Sequence, residues 1–146
     1  MTFKLADFLP YQLSVASNAV SRAVALGSDY ELRFGLSATE WRVLAAVTAS
    51  GSATQTEVAA ITAMDKMSVS RAVAGLTQRR LLTRTPHQGD RRTLWLEPTI
   101  EGRRIHDIVA PQALEVEAGL LALFTADEAA ALRAALVRLR EACDKQ

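Results

Sequence analysis

Between residues 5 and 26, Leu9, Leu13, Ala16, Val20 and Ala23 return every three or four positions. That period marks one apolar helix face and predicts a long first helix over residues 5–26. Three later segments open with helix-start chemistry: Ser37 with Glu40, Thr54 with Glu57, and Thr125 with Glu128. Each matches the capping box, in which the hydroxyl takes a free backbone N–H and the carboxylate reaches back to the cap. Asp65 supplies a fourth cap, for a helix ending near residue 79. Past Arg80 the period falls to two. Residues 81–85 and 93–97 read as short strands, the second alternating Leu94 and Leu96 with Thr93, Trp95 and Glu97. The polar loop between them, with Pro86 and Gly89, predicts a hairpin. Two helices close the pattern. One covers residues 99–123 with a kink at Pro111; the other covers residues 126–142. The last carries a heptad-like stripe of Ala129, Leu132, Leu136, Leu139 and Cys143.

These elements make a mainly α protein with a small β-hairpin. The helices opened by Thr54 and Asp65 are joined tightly around Ala63 and Met64. Val58, Ala59 and Ile61 are placed to pack against Val69, Ala72, Val73 and Leu76, and the small Ala59, Ala60 and Ala72 permit the close crossing of a helix-turn-helix. A chain of 146 residues, 49% apolar and 23% charged, suits one folded domain. No apolar run is long enough to span a membrane, and the N-terminus lacks the apolar core and cleavage site of a signal peptide. A lone cysteine excludes an internal disulfide, so the default location is cytoplasmic.

Charge adds what periodicity does not. From Lys66 to Arg92 the cations are Lys66, Arg71, Arg79, Arg80, Arg84, Arg91 and Arg92, with Asp90 the only anion. That segment is +6 in a chain of net charge +1, so the remainder is −5. Such polarity gives one face a field suited to a polyanion, with phosphates the obvious target. If the apolar stripe of the Asp65 helix faces inward, Lys66, Ser68, Ser70, Arg71 and Gly75 face out, and short hydroxyls with an Arg suit base edges and phosphates. Thr54, Gln55 and Thr56 would aim N–H groups and side chains at a phosphate from the preceding helix. In the hairpin, Arg91 and Arg92 sit at a tip that suits a narrow minor groove. Asp90 can hold Arg92 in one orientation, or serve as a turn residue beside Gly89.

Residues 54–104 resemble the winged helix-turn-helix of the MarR family of transcriptional regulators. The likeness rests on VAAI (58–61), DKMSVSR (65–71), LTQRRLLTR (76–84), GDRR (89–92) and TIEG (99–102). FGLSATEWRVL (34–44) is similar to the family's second helix, and with the flanking helices the likeness covers nearly the whole chain. It implies a winged helix-turn-helix lobe over residues 37–98, flanked by dimerisation helices over residues 5–26 and 99–146. It also implies a homodimer whose outer helices intertwine, whose recognition helices enter successive major grooves and whose wings reach minor grooves. Ser68, Ser70 and Arg71 then contact bases or phosphates, and Arg92 is the wing arginine held by Asp90; Arg84, from the basic cluster, is a further candidate DNA contact. Two positions depart from the pattern. Arg80 stands where members usually carry Gly, and Pro98 where an apolar residue is commoner; Pro98 is expected to end its strand.

The first-helix and last-helix stripes are more than a small lobe can cover, so pairing with a second copy is expected, with an inverted repeat as the DNA partner. Many MarR-like regulators release DNA when a small aromatic or anionic molecule binds between the dimer helices and the lobe. Tyr11, Asn18, Arg22, Trp41, Arg42 and His106 are the candidates to line such a pocket, against a plainer reading of Trp41 as core and the arginines as surface ion pairs. Cys143 reads as a small packed hydrophobe. An enzyme finds little to build on: His87, His106, one cysteine, no glycine-rich phosphate loop and no metal-ligand spacing, so neither catalytic residues nor cofactors are expected. The remaining alternative is a winged-helix protein-interaction module without DNA binding. The expected function is a sequence-specific DNA-binding transcriptional regulator, a repressor released by an effector.

Overall fold

The computed structural model describes residues 1–86, 89 and 92–145. A single 3-10 turn, Leu5–Asp7, precedes α1 (Leu9–Ser28), with Pro10 in the first turn of the helix. The expected first helix is thus split at Phe8, whose extended backbone carries the chain into the position where proline's missing N–H costs nothing. α1 is followed by α2 (Tyr30–Phe34), α3 (Ala38–Ser50), β1 (Ala53–Thr54), α4 (Gln55–Thr62), α5 (Lys66–Gln78), β2 (Leu82–Pro86), β3 (Leu94–Pro98), α6 (Ile100–Leu121) and α7 (Ala126–Asp144).

All three capping boxes form, at Ser37, Thr54 and Thr125. α6 continues through Pro111. The proline removes one donor from the ladder, at the carbonyl of Asp107, whose side chain is exposed. The sheet is antiparallel in the order β1-β3-β2, with Ala53 opposite Leu96 and Arg84 opposite the same residue on the other edge. β1 and α2 go beyond the sequence pattern: two and five residues are too short to display a period.

The core lies under the helix-turn-helix. Leu36, Val43, Leu44 and Val47 pack with Val58 of α4, with Val69, Val73 and Leu76 of α5, and with Leu82 and Leu96 of the sheet. Tyr30 from α2 and Ile105 and Val109 from α6 close it. Ile61, expected inside, is 48% exposed. It lies three residues past Val58, and α4 ends one residue later in a left-handed turn at Ala63, so the inward stripe of this short helix is held by Val58 and Ala59. α7 buries none of its residues and α1 only Ser28.

Candidate DNA interface and ligand cleft

Asp65 sets the start of α5. One carboxylate oxygen accepts the Ser68 N–H (2.8 Å) and the other accepts the Ser68 hydroxyl (2.6 Å). These two bonds, with a smaller contribution from the charge of Arg71, hold the Asp65 carboxyl below the usual carboxylate range. Ser68 is therefore a capping partner first. Its side chain is half-buried and its proton is committed to Asp65, which corrects the expectation that it faces outward as a reader.

The faces of α5 follow from 100° per residue. Val69, Ala72, Val73 and Leu76 form the buried stripe, and Met67, Ser70, Arg71 and Ala74 form the exposed ridge opposite. Lys66 is exposed on the flank. Gly75, expected outward, is half-buried: a Cβ there would come within 3.0 Å of a Glu40 carboxylate oxygen, so glycine lets α3 and α5 approach. Met67, missed in the sequence because apolar residues are assigned inward, is 71% exposed at the head of the ridge.

At the start of α4 the Thr54 hydroxyl accepts the Glu57 N–H (3.1 Å), and Glu57 accepts the Thr54 N–H (3.0 Å). Thr54 also pairs with Trp95 in the sheet. Thr54 and Gln55 are half-buried and Thr56 is exposed, so Thr56 is the side chain of that trio most open to a phosphate.

The exit of α5 explains the Thr-x-x-Gly pattern at residues 99–102. The Leu81 N–H reaches the Leu76 carbonyl (2.9 Å) and the Arg80 N–H reaches Thr77 (3.0 Å), a Schellman ending with Arg80 at φ +58° in place of glycine. Thr99 then binds this turn. Its N–H donates to the Leu81 carbonyl (3.1 Å) and its hydroxyl to the Arg80 carbonyl (2.7 Å), while the same oxygen accepts the Gly102 N–H (3.0 Å). A Cβ on Gly102 would run into the Leu81 carbonyl oxygen. One hydroxyl and one missing side chain thus fix α6 against the base of the wing.

The cations do not all point one way. Arg79 turns back, donating to the carbonyls of Phe34 and Gly35 (3.1 Å to the latter) at the end of α2. Lys66, Arg71, Arg80, Arg84 and Arg92 are exposed. Asp90 and Arg91, and with them the Asp90–Arg92 pair, lie outside the described residues, as does His87.

Of the second group of candidates, Asn18, Arg22, Trp41 and Arg42 line clefts beside α1 and α3. Asn18, Arg22 and Arg42 line one cleft of about 420 Å³ together with Ser17, Ser21 and Glu31. Arg42 also reaches the Ser21 hydroxyl (3.4 Å). Trp41 and Arg42 share a smaller neighbouring cleft with Tyr30, and Trp41 also borders an apolar groove of about 420 Å³ with Val20, Val24, Ala113, Leu114 and Leu120. His106 lines none of these. It stacks on Trp41 (5.7 Å), which stacks in turn on Tyr30 (5.8 Å), a three-ring column joining α6, α3 and α2. Burial raises the Tyr30 hydroxyl above its ordinary range, partly offset by the charge of Arg42. Tyr11, 41% exposed, also lies outside the three clefts. Cys143, expected to be packed, is exposed in the single chain. Among the described residues no cluster could hold a metal ion, and no helix is long and apolar enough to cross a membrane.

Residues 34–93 match the model of the MarR family. No curated protein matches the chain in sequence. Solved structures do. A MarR/EmrR family transcriptional regulator from Acinetobacter sp. ADP1 is 24% identical with a TM-score of 0.88, covering 99% of this chain and 100% of its own. The PcaV transcriptional regulator from Streptomyces coelicolor, solved with its natural ligand, is 21% identical at a TM-score of 0.80, covering 98% and 99%. A mutant of MarR from E. coli, solved with operator DNA, is 18% identical at a TM-score of 0.80, covering 94% and 99%.

Proposed function

We propose that the chain, whose residues 34–93 match the MarR family model, is a MarR-family transcriptional regulator and acts as a homodimeric, sequence-specific DNA-binding protein, a repressor released by a small-molecule effector. It is a soluble cytoplasmic protein without catalytic activity or cofactor. The observation that carries this reading is the exposed ridge of α5, Ser70 and Arg71 flanked by Lys66, continued by Arg84 and Arg92 on the wing. A rod with cations along one face fits the major groove, and a cationic prong beside it fits the neighbouring minor groove. Ser70, Arg71 and Lys66 are assigned to bases and phosphates, Thr56 with Thr54 and Gln55 to a phosphate at the α4 start, and Arg84, Asp90, Arg91 and Arg92 to the wing contact. E. coli MarR has been solved on operator DNA, in keeping with this use of the fold.

The exposed stripes of α1 and α7 supply the dimer contact, and a two-fold dimer reads an inverted repeat with half-sites about one helical turn apart. The effector site is the cleft of Asn18, Arg22 and Arg42 with the adjoining apolar groove at Trp41. Two guanidinium groups against one Glu31 favour an anion, and the groove favours a ring. PcaV has been solved with its natural ligand, in keeping with control of this fold by a small molecule.

Titration of duplex DNA at several salt concentrations tests the reading. Affinity should fall linearly in log salt, by roughly 0.9 per phosphate neutralised. Arg92→Ala should weaken binding by about 1–3 kcal/mol while the variant still melts cooperatively. Affinity no greater than for a neutral control protein would instead favour an interaction module that has kept the fold.

A further inference from the structure

Met67 sits where a helix that only had to fold would carry a polar residue. Its side chain is 71% exposed although the core of the lobe is directly beneath α5. At 100° per residue it lies almost diametrically opposite Leu76 and Val69, on the crest of the outward ridge. Ser70 and Arg71 follow it one turn later, and Ala74 the turn after, all exposed. The ridge therefore reads apolar, polar, cationic, apolar along its length. The neighbouring Ser68 is turned aside and spends its hydroxyl on Asp65, so Met67 and not Ser68 leads this face.

Among the groups displayed on the floor of the major groove, one is apolar: the C5-methyl of thymine. A thioether side chain is unbranched and polarisable and adapts to such a surface without exact shape matching. We propose that Met67 is a specificity-determining residue that packs against a thymine methyl in each half-site, while Arg71, one turn on, takes the adjacent guanine edge or phosphate. This rests on α5 being the recognition helix, as proposed above. The contact selects thymine over cytosine at that position by burying the methyl group.

The test uses the full-length protein. A random duplex library is selected on it, and the tightest selected duplex becomes the probe. Each thymine in its half-sites is then replaced singly by deoxyuridine, which deletes only the methyl and preserves base pairing. One replacement per half-site should weaken wild-type binding about three- to fivefold, the scale of exposing one methyl group. Met67→Ala should bind more weakly and lose that sensitivity at the same position, whereas Met67→Leu should retain part of it. Because Met67 is exposed, both variants should keep the wild-type melting temperature, and a cooperative melt confirms that they are folded. Tight binding with no thymine-to-uracil effect, or an equal effect in Met67→Ala, overturns the Met67 assignment and leaves the DNA-binding reading standing. Failure to select any duplex overturns both.

Discussion

The lobe between Tyr30 and Val109 and the helices that flank it divide the apolar side chains unequally. In the lobe, Leu36, Val43, Leu44, Val47, Val58, Val73, Leu76 and Leu96 are fully covered by their own chain. In α7, Leu132, Leu136, Val137 and Leu139 remain between 38% and 56% exposed, and Leu9, Leu13 and Val20 of α1 are similarly open. The two regions have comparable periodicity but opposite fates. α7 touches the rest of its chain through polar contacts, Arg133 to Glu117 (2.9 Å) and Arg140 to the Ala60 carbonyl (2.9 Å). Exposed pairs of this kind are worth little in stability. The apolar stripe of α7 is left largely uncovered by its own chain, whereas the side chains of the lobe are already covered. One of these polar contacts, from Arg140, reaches the last turn of α4.

The contrast can be broken from either side. Leu44→Ala removes volume from the covered region and should cost about 2–5 kcal/mol, read from the urea midpoint at constant slope. Leu136→Asp acts on the uncovered region. It should weaken self-association at least about a hundredfold, near 3 kcal/mol, seen as a fall in sedimentation coefficient at micromolar protein. A sedimentation coefficient unmoved by Leu136→Asp would mean that the stripe is not a subunit contact. Arg80→Gly relieves a left-handed turn at the lobe's edge and should raise stability by about 0.5–1 kcal/mol, while slackening the joint between α5 and the wing.

The smallest effect is electrostatic. The Asp65 carboxyl is lowered by its bonds from Ser68, so its folded pKa lies below the unfolded one. Its contribution is complete above the ordinary aspartate range and is lost as pH falls through the lowered value. The difference in melting temperature between wild type and Asp65→Ala should therefore be largest near neutrality and shrink on acidification. A difference that grows with acid would contradict the cap.

Local chemistry carried much of this fold. The capping boxes at Ser37, Thr54 and Thr125 and the cap at Asp65 depend on residues three positions apart, so they could be read directly and the structure forms each one. The wing strands appear one residue later than the alternation suggested, ending at Pro86 and Pro98. Thr99 and Gly102 were recognisable as a motif, but their reason lay elsewhere in the chain, in the carbonyls of Arg80 and Leu81. Arg80 was visible as a departure from glycine. That it would adopt the left-handed turn unchanged was not, because only the surrounding hydrogen bonds over-determine that conformation.

The amino-acid order by itself determined where helices begin, which segment is strongly basic and which stripes are apolar, since these follow from neighbours within a turn or two. It could not decide what each side chain meets across the fold. That Arg79 turns to the end of α2, that Tyr30, Trp41 and His106 stack, that Ile61 and Met67 face out and that α7 is left uncovered are outcomes of packing between distant segments. Periodicity assigns a residue to a face; only the assembled helices decide whether anything lies against it.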